Sequence, residues 1–264
     1  MRIPTTPAGR PGILTAIVVV IPLALLALAC ESPPRTDPAA RARVRQDADV
    51  SPYQAEVEEG LGAAVAILID TSGSMRERAA GDGRPKFEVA REALEAMLDA
   101  TDAFVARRPD FPIKIGIYSF SSSVRVIRPI SSYDREAIRR SLATVPRPGG
   151  GTAIGEALSA ARPDLYRSGV FRKYLLVLTD GDNTSGRPPD RVAREIFRKS
   201  EGGVRVYFVA FDTSPEKFGF LKEAGGDVFG AGNGAELRAA LDGVYQGKIL
   251  AEAPASVERE PVGR

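Results

Sequence analysis

The sequence predicts an α/β domain with an open, mostly parallel sheet, one antiparallel edge strand and helices on both faces. Apolar runs rich in Val, Ile and Leu alternate with segments of helical periodicity, as in parallel α/β domains. Two of these runs end directly in an acid, at Asp70 and at Asp180. One neighbouring pair of runs, residues 113–120 and 124–130, is joined by a turn short enough for a β-hairpin. We expect this domain over residues 61–250.

Strands are predicted wherever a short apolar run is bounded by turn residues. The six predicted strands cover residues 64–69, 113–120, 124–130, 174–179, 204–211 and 226–229. Continuous apolar runs are typical of strands that are buried on both faces. The third run differs, because Val alternates with Arg at Val124, Arg125 and Val126, as expected of an edge strand.

Helices are predicted where apolar residues recur at three- and four-residue spacing. The six predicted helices lie at about residues 86–106, 133–145, 153–161, 192–197, 218–221 and 237–245. Pro109 and Pro112 end the first of them, and Ser132 is the predicted N-cap of the second. Strands and helices thus follow one another as β-α-β-β-α-α-β-α-β-α-β-α.

The chain begins with a segment typical of secretion. Residues 13–29 are almost entirely apolar, about as long as a signal-peptide core and slightly short for a spanning helix. Small residues precede the single Cys of the chain, Cys30, and this junction resembles the lipobox of bacterial lipoproteins, although Ala27 stands where Leu is usual. We therefore expect residues 1–29 to be a lipoprotein signal peptide and Cys30 to be lipidated. The alternative is an uncleaved single-pass anchor.

Either interpretation tethers the domain to a membrane in the bacterial cell envelope, facing the periplasm or the exterior. Glu31 stands where an Asp often marks inner-membrane retention, which favours the outer membrane. Residues 30–60 contain four prolines and no apolar periodicity, so we predict a disordered linker. We also predict a disordered tail over residues 251–264.

Composition excludes several classes of site. The 264 residues include no His, which removes Ser-His-Asp and Cys-His catalysis and His-based zinc sites. A single Cys allows neither an intrachain disulfide nor a Cys cluster. The net charge of +2 comes from Arg2 and Arg10 in the predicted signal peptide, so we expect no nucleic-acid surface.

Oxygen-bearing side chains follow two of the predicted strands. Asp70 ends the first strand and is followed by Ser72 and Ser74 in Asp70-Thr-Ser72-Gly-Ser74. Asp180 ends the fourth strand in the same way. Ligands bind at the carboxyl ends of strands in open parallel sheets. Hard oxygen atoms suit a hard cation such as Mg²⁺, so a cation site is predicted here.

Together with Gly151-Thr152, these loops resemble the three metal-site loops of the von Willebrand factor type A (vWA) domain. The resemblance implies a Rossmann-like fold with a metal-ion-dependent adhesion site (MIDAS). It implies that Ser72, Ser74 and Thr152 ligate the cation directly. Asp70 and Asp180 would act through water or by orienting those ligands. Mg²⁺ is the expected ion, and Mn²⁺ and Ca²⁺ suit the same all-oxygen ligands. An Asp or Glu carboxylate of a partner protein would fill the open position.

Each motif also has a simpler structural interpretation. Asp70, Ser72 and Ser74 could cap a turn or helix, and Thr152 could be the N-cap of a helix beginning at Ala153.

Other ligand loops fit less well. Residues 149–155 lack the Lys of a phosphate loop, because Glu156 follows them. Residues 180–186 carry their Gly one place late for a Ca²⁺ loop, with Arg191 where the final Glu belongs, so Asp182 is predicted as a solvated or partner-contacting acid. An aspartyl phosphatase would need an acid at Ser72.

We therefore predict a membrane-anchored domain that binds a protein partner through a divalent cation, and not an enzyme. Two alternatives remain open. The cation could be purely structural, in which case the domain is a scaffold. A metal-assisted hydrolase is the other alternative, although the sequence offers no evident general base.

Overall fold

The computed structural model describes residues 60–253. The predicted signal peptide, the lipidation site at Cys30, nearly all of the predicted linker and most of the predicted tail lie outside these residues. Within the described residues, no helix combines the length and the apolar character needed to cross a membrane.

Six strands form a single sheet. They are β1 (Gly60–Asp70), β2 (Ile113–Phe120), β3 (Val124–Ser132), β4 (Val170–Thr179), β5 (Val204–Phe211) and β6 (Asp227–Ala231). Their order across the sheet is β3-β2-β1-β4-β5-β6, and every neighbouring pair is parallel except β2 and β3. The chain proceeds outward from β1 on one side and from β4 on the other. The junction of β1 and β4 is thus the topological switch point, where open α/β sheets bind ligands.

Helices cover both faces of the sheet. They are α1 (Lys86–Arg107), α2 (Arg135–Ala143), α3 (Ile154–Tyr166), α4 (Pro189–Lys199) and α5 (Gly234–Val244). Two 3₁₀ segments, Gly73–Arg76 and Pro215–Ala224, and a π-helical segment, Tyr245–Leu250, complete the described elements. The α/β architecture predicted from the sequence is confirmed.

The side chains of β1 divide between two apolar cores. Val65, Ile67 and Ile69 pack with α1, α2 and α5 on one face, whereas Ala66 and Leu68 pack with α3 and α4 on the other. Burial on both faces is the reason that this strand is a continuous apolar run instead of an alternating one.

The structure corrects three local predictions. Ser132 is the last residue of β3, paired with Lys114, and the N-cap of α2 is Asp134, whose carboxylate accepts a 2.9 Å hydrogen bond from the Ala137 amide. Helix α3 begins at Ile154 instead of Ala153. The alternation of buried Val and exposed Arg expected along the edge strand is not observed, because Val126 is 48% exposed and the neighbouring Arg125 is exposed as well.

Candidate metal centre

Asp70 lies at the switch point and is fully buried, with 0% exposure. Its Oδ1 accepts a 2.7 Å hydrogen bond from the Ser72 amide, and its Oδ2 accepts a 2.6 Å bond from the Thr179 hydroxyl. Burial raises the pKa of the Asp70 carboxyl to about 6, and the hydrogen bonds from Thr179 and Ser72 oppose that rise. Asp70 therefore orients the turn that follows β1 and ties that turn to β4.

Ser72, Ser74 and Asp180 form a continuous chain of oxygen atoms. The Oγ atoms of Ser72 and Ser74 are 3.1 Å apart. The Ser74 hydroxyl donates a 2.7 Å hydrogen bond to Asp180 Oδ1. The two serines come from the short turn after β1 and Asp180 from the end of β4, so the fold brings together groups 106 residues apart.

Thr152 reaches the same region through its backbone. Its loop is held against the Ser72–Ser74 turn by two hydrogen bonds, from the Gly149 amide to the Thr71 carbonyl (2.8 Å) and from the Gly73 amide to the Gly150 carbonyl (3.0 Å). Thr152 itself is 5% exposed.

A third loop supports Thr152 from the other side. The Thr152 amide donates to Thr184 Oγ1, and the Thr184 amide donates to the Thr152 carbonyl, both at 2.8 Å. The adjacent Asn183 side chain accepts a 2.8 Å bond from the Ile154 amide. The amide of Ile154 is thus capped by Asn183 and not by Thr152, for which an N-cap role was the alternative interpretation of the sequence.

Lys86 is a site residue that sequence reasoning missed. It is the first residue of α1 and is 5% exposed. Its Nζ lies 3.1 Å from Asp180 Oδ2, 3.2 Å from Asp212 Oδ2 and 3.5 Å from Glu77 Oε2. Burial opposes its charge, but hydrogen bonds and the charges of Asp180 and Asp212 raise the pKa of Lys86 above its ordinary value. A positive charge in the first turn of a helix is unfavourable, because it opposes the helix dipole. The position of Lys86 in the sequence was therefore the one indication that this lysine pairs with an acidic side chain of the same chain.

Asp182 lies at the surface, as the sequence predicted. Its side chain is 65% exposed and pairs with Lys217 at 3.0 Å. Within residues 60–253, no group of three or more His, Cys, Asp or Glu side chains is arranged to hold a metal ion. The side-chain oxygens that the structure brings into contact at the strand ends are the hydroxyls of Ser72 and Ser74 and the carboxylate of Asp180.

Comparisons with known proteins agree with this architecture. The family model described as the von Willebrand factor type A domain matches residues 64–227. One relative is the uncharacterised protein YwmC of Bacillus subtilis, which is 27% identical over 194 residues, covering 67% of this chain and 80% of the relative.

Two solved structures share the fold. The PilB minor pilin from Streptococcus sanguinis superposes with a TM-score of 0.59 at 17% identity, over 73% of this chain and 62% of the pilin. Proximal thread matrix protein 1 from the mussel byssus, in a form with a zinc-occupied MIDAS motif, superposes with a TM-score of 0.53 at 21% identity, over 71% of this chain and 46% of its own. The alignment thus spans less than two thirds of either structure. With the family model matching more than half of its length, this chain belongs to the von Willebrand factor type A domain family.

Proposed function

We propose that this chain binds a partner protein through a divalent cation at the strand ends, while anchored to a membrane of the bacterial cell envelope. Ser72, Ser74 and Thr152 would hold the cation, and Asp70 and Asp180 would orient these ligands and the surrounding water. The observation that carries the proposal is the chain of oxygen atoms from Ser72 through Ser74 to Asp180 at the topological switch point.

The chemistry of the donors fits a hard divalent cation. Every candidate ligand atom is an oxygen, as Mg²⁺ requires, and Mn²⁺ or Ca²⁺ accepts the same atoms. The zinc-occupied MIDAS motif of the mussel protein supports a divalent ion in general. Neutral hydroxyls donate less charge than carboxylates do, so a bound cation would supply an electrophilic position for a partner's Asp or Glu carboxylate.

Charge around the site also favours an acidic partner. Arg76 ends the turn that carries Ser72 and Ser74, is exposed, and lies beside Gly149, where a Cβ atom would be 3.1 Å from its Nη2. It forms no ion pair with residues 60–253, whereas the exposed acid Asp182 is already paired with Lys217. An unpaired guanidinium next to the cation ligands would attract a second acidic group of the partner.

The membrane anchor is proposed from the sequence alone. Cys30 would carry the lipid, and a linker of thirty residues would reach about 100 Å when fully extended. Glu31 favours the outer membrane. Labelling with a radioactive fatty acid, with Cys30→Ser as control, would test lipidation, and membrane fractionation would test the location. Label that is unaffected by Cys30→Ser would contradict this part of the proposal.

The binding function is tested by capture of envelope proteins on the immobilised chain. We expect capture in Mg²⁺ that is lost with EDTA and with Ser74→Ala. Ser123→Ala, an exposed serine of the β2–β3 turn, is the matched control and should capture normally. Capture that persists both in EDTA and with Ser74→Ala would overturn the proposal.

Two other outcomes identify the alternative functions. A purely structural cation would leave capture intact on removal while lowering the melting temperature. Hydrogen bonds among protein groups already hold Asp70 and Asp180 in place, and this disfavours a structural cation. A hydrolase would show metal-dependent turnover that survives purification.

A further inference from the structure

The Lys86 ammonium group is enclosed by three carboxylates that come from separate parts of the chain. Asp180 follows β4, Asp212 follows β5, and Glu77 follows the turn that carries the two serines. The three N···O distances are 3.1, 3.2 and 3.5 Å. An ammonium group has three N–H donors, so each carboxylate can accept one of them.

The two carboxylate oxygens of Asp180 have different partners, one at the proposed cation site and the other at Lys86. Its Oδ1 accepts from Ser74 at 2.7 Å, and its Oδ2 accepts from Lys86 at 3.1 Å. The Asp180 side chain has no exposed surface, so water cannot replace either partner without a rearrangement. Both the lysine and the serine therefore fix the orientation of this carboxylate.

Asp212 is held towards the lysine by its backbone. It adopts the left-handed conformation, with φ of 51°, which Asp tolerates better than most residues. Its amide donates a 2.6 Å hydrogen bond to the Ala231 carbonyl. Lys86 therefore has a second fixed counter-charge that does not contact the serine hydroxyls in the described hydrogen-bond network.

We propose that Lys86 is a positioning residue that weakens cation binding: its ammonium retains Asp180 Oδ2 and reduces the negative charge that the cation would meet. Asp212 moderates this effect by neutralising part of the lysine charge. The inference rests on the proposed function. As a consequence of the lysine charge, the negative charge of the protein ligands does not fully neutralise the bound cation, and the cation can bind a partner's carboxylate.

Opposite effects on metal affinity are expected from the two sides of this ion pair. Removing the lysine charge should tighten cation binding by about tenfold. Only the Asp180 carboxylate separates the ammonium from the cation site, and at that separation the repulsion between a unit charge and a divalent ion is large enough for such a change in affinity, even in a water-like medium. Removing the Asp212 charge should weaken binding several-fold, because more of the lysine charge then acts on the site. A merely structural role would weaken binding in both cases.

The test is isothermal titration of Mn²⁺ into the purified full chain in detergent. We expect about tenfold tighter binding for Lys86→Met, little change for Lys86→Arg, and several-fold weaker binding for Asp212→Asn. Lys217→Met is the matched control, because it removes an equal charge from an exposed lysine near the same edge of the sheet, and it should bind Mn²⁺ normally.

Folding of each variant is checked by circular dichroism. A folded Lys86→Met variant that binds Mn²⁺ as well as or less well than the unmodified chain overturns the role of Lys86. If Lys86→Met does not fold, Lys86→Gln, which also removes the lysine charge, takes its place, and unchanged or weaker Mn²⁺ binding in that variant overturns the inference. If the unmodified chain itself binds no Mn²⁺, the proposed function fails. Failure of the proposed function is thus distinguished from failure of the inference about Lys86, which requires Mn²⁺ binding by the unmodified chain.

Discussion

The hydroxyl of Thr179 donates a 2.6 Å hydrogen bond to Oδ2 of Asp70, joining the ends of the two central strands where the topology of the sheet reverses. Both residues are fully buried. A buried carboxylate is tolerated when its oxygens accept hydrogen bonds, and here one bond comes from the neighbouring strand and one from the following turn.

The Thr179→Val substitution keeps the shape of this contact and removes its donor. We expect the free energy of unfolding to fall by about 1–3 kcal/mol, the usual cost of leaving a buried polar group without a partner. Urea denaturation measures this. Thr213→Val, a half-buried threonine just after β5, is the control and should change stability by less than about 0.5 kcal/mol. Equal effects of the two substitutions would contradict the importance of the Thr179–Asp70 bond.

The stability of the metal-free protein should depend on the ionisation of Asp70. Its pKa in the folded state is about 6, above the ordinary value of 3.8, so the folded protein retains a proton that the unfolded chain loses. Stability from this group is therefore present at low pH and is lost as pH rises from about 4 to about 6. The full loss corresponds to about 3 kcal/mol.

This pH dependence is measured by urea unfolding in EDTA, relative to Asp70→Asn. The amide has no proton to lose, and all other titrating groups are common to the two proteins. We expect the unmodified protein to lose stability relative to the variant over that pH interval. A difference that is constant with pH would show that the folded state does not shift the pKa of Asp70.

Arg76 is expected to contribute to partner binding and not to folding. Because its guanidinium is exposed beside Gly149, reversing its charge with Arg76→Glu should weaken capture of an acidic partner by tenfold or more. The melting temperature should stay unchanged. Arg140→Glu makes the same charge change at an exposed position of α2 and should capture normally. Equal loss in both variants would point to net charge instead of a local contact.

Gly155 controls the approach of α3 to the loop after β4. A Cβ at this position would lie 2.1 Å from the Arg187 carbonyl oxygen, which belongs to the backbone and cannot rotate away. We expect Gly155→Ala to destabilise the fold by about 1–3 kcal/mol. Gly219→Ala is the matched control, since nothing lies within 4 Å of the added methyl group. Thermal unfolding compares the two, and a Gly155→Ala protein as stable as the control would contradict the close approach.

The sequence predicted the sheet well because each buried strand carries its own signal. Residues 64–69 are apolar without interruption, and the acid that follows them marks the strand end to within one residue. The prediction that Ser132 is an N-cap was wrong because the role of this residue depends on a contact with another strand. Pairing with β2 extends β3 through Ser132, and the cap moves to Asp134.

Taken alone, the sequence determined the order of strands and helices and the candidate ligands Asp70, Ser72, Ser74, Thr152 and Asp180. The order of elements follows from local apolar periodicity, and Asp70, Ser72, Ser74 and Asp180 from the placement of oxygen-bearing residues directly after strands. Thr152 was added by the resemblance to the vWA metal-site loops. Only the tertiary structure decided that Lys86 lies among Asp180, Asp212 and Glu77. Two of those acids are distant along the chain, so their contact with Lys86 depends on how parallel strands are arranged side by side, which no local pattern encodes.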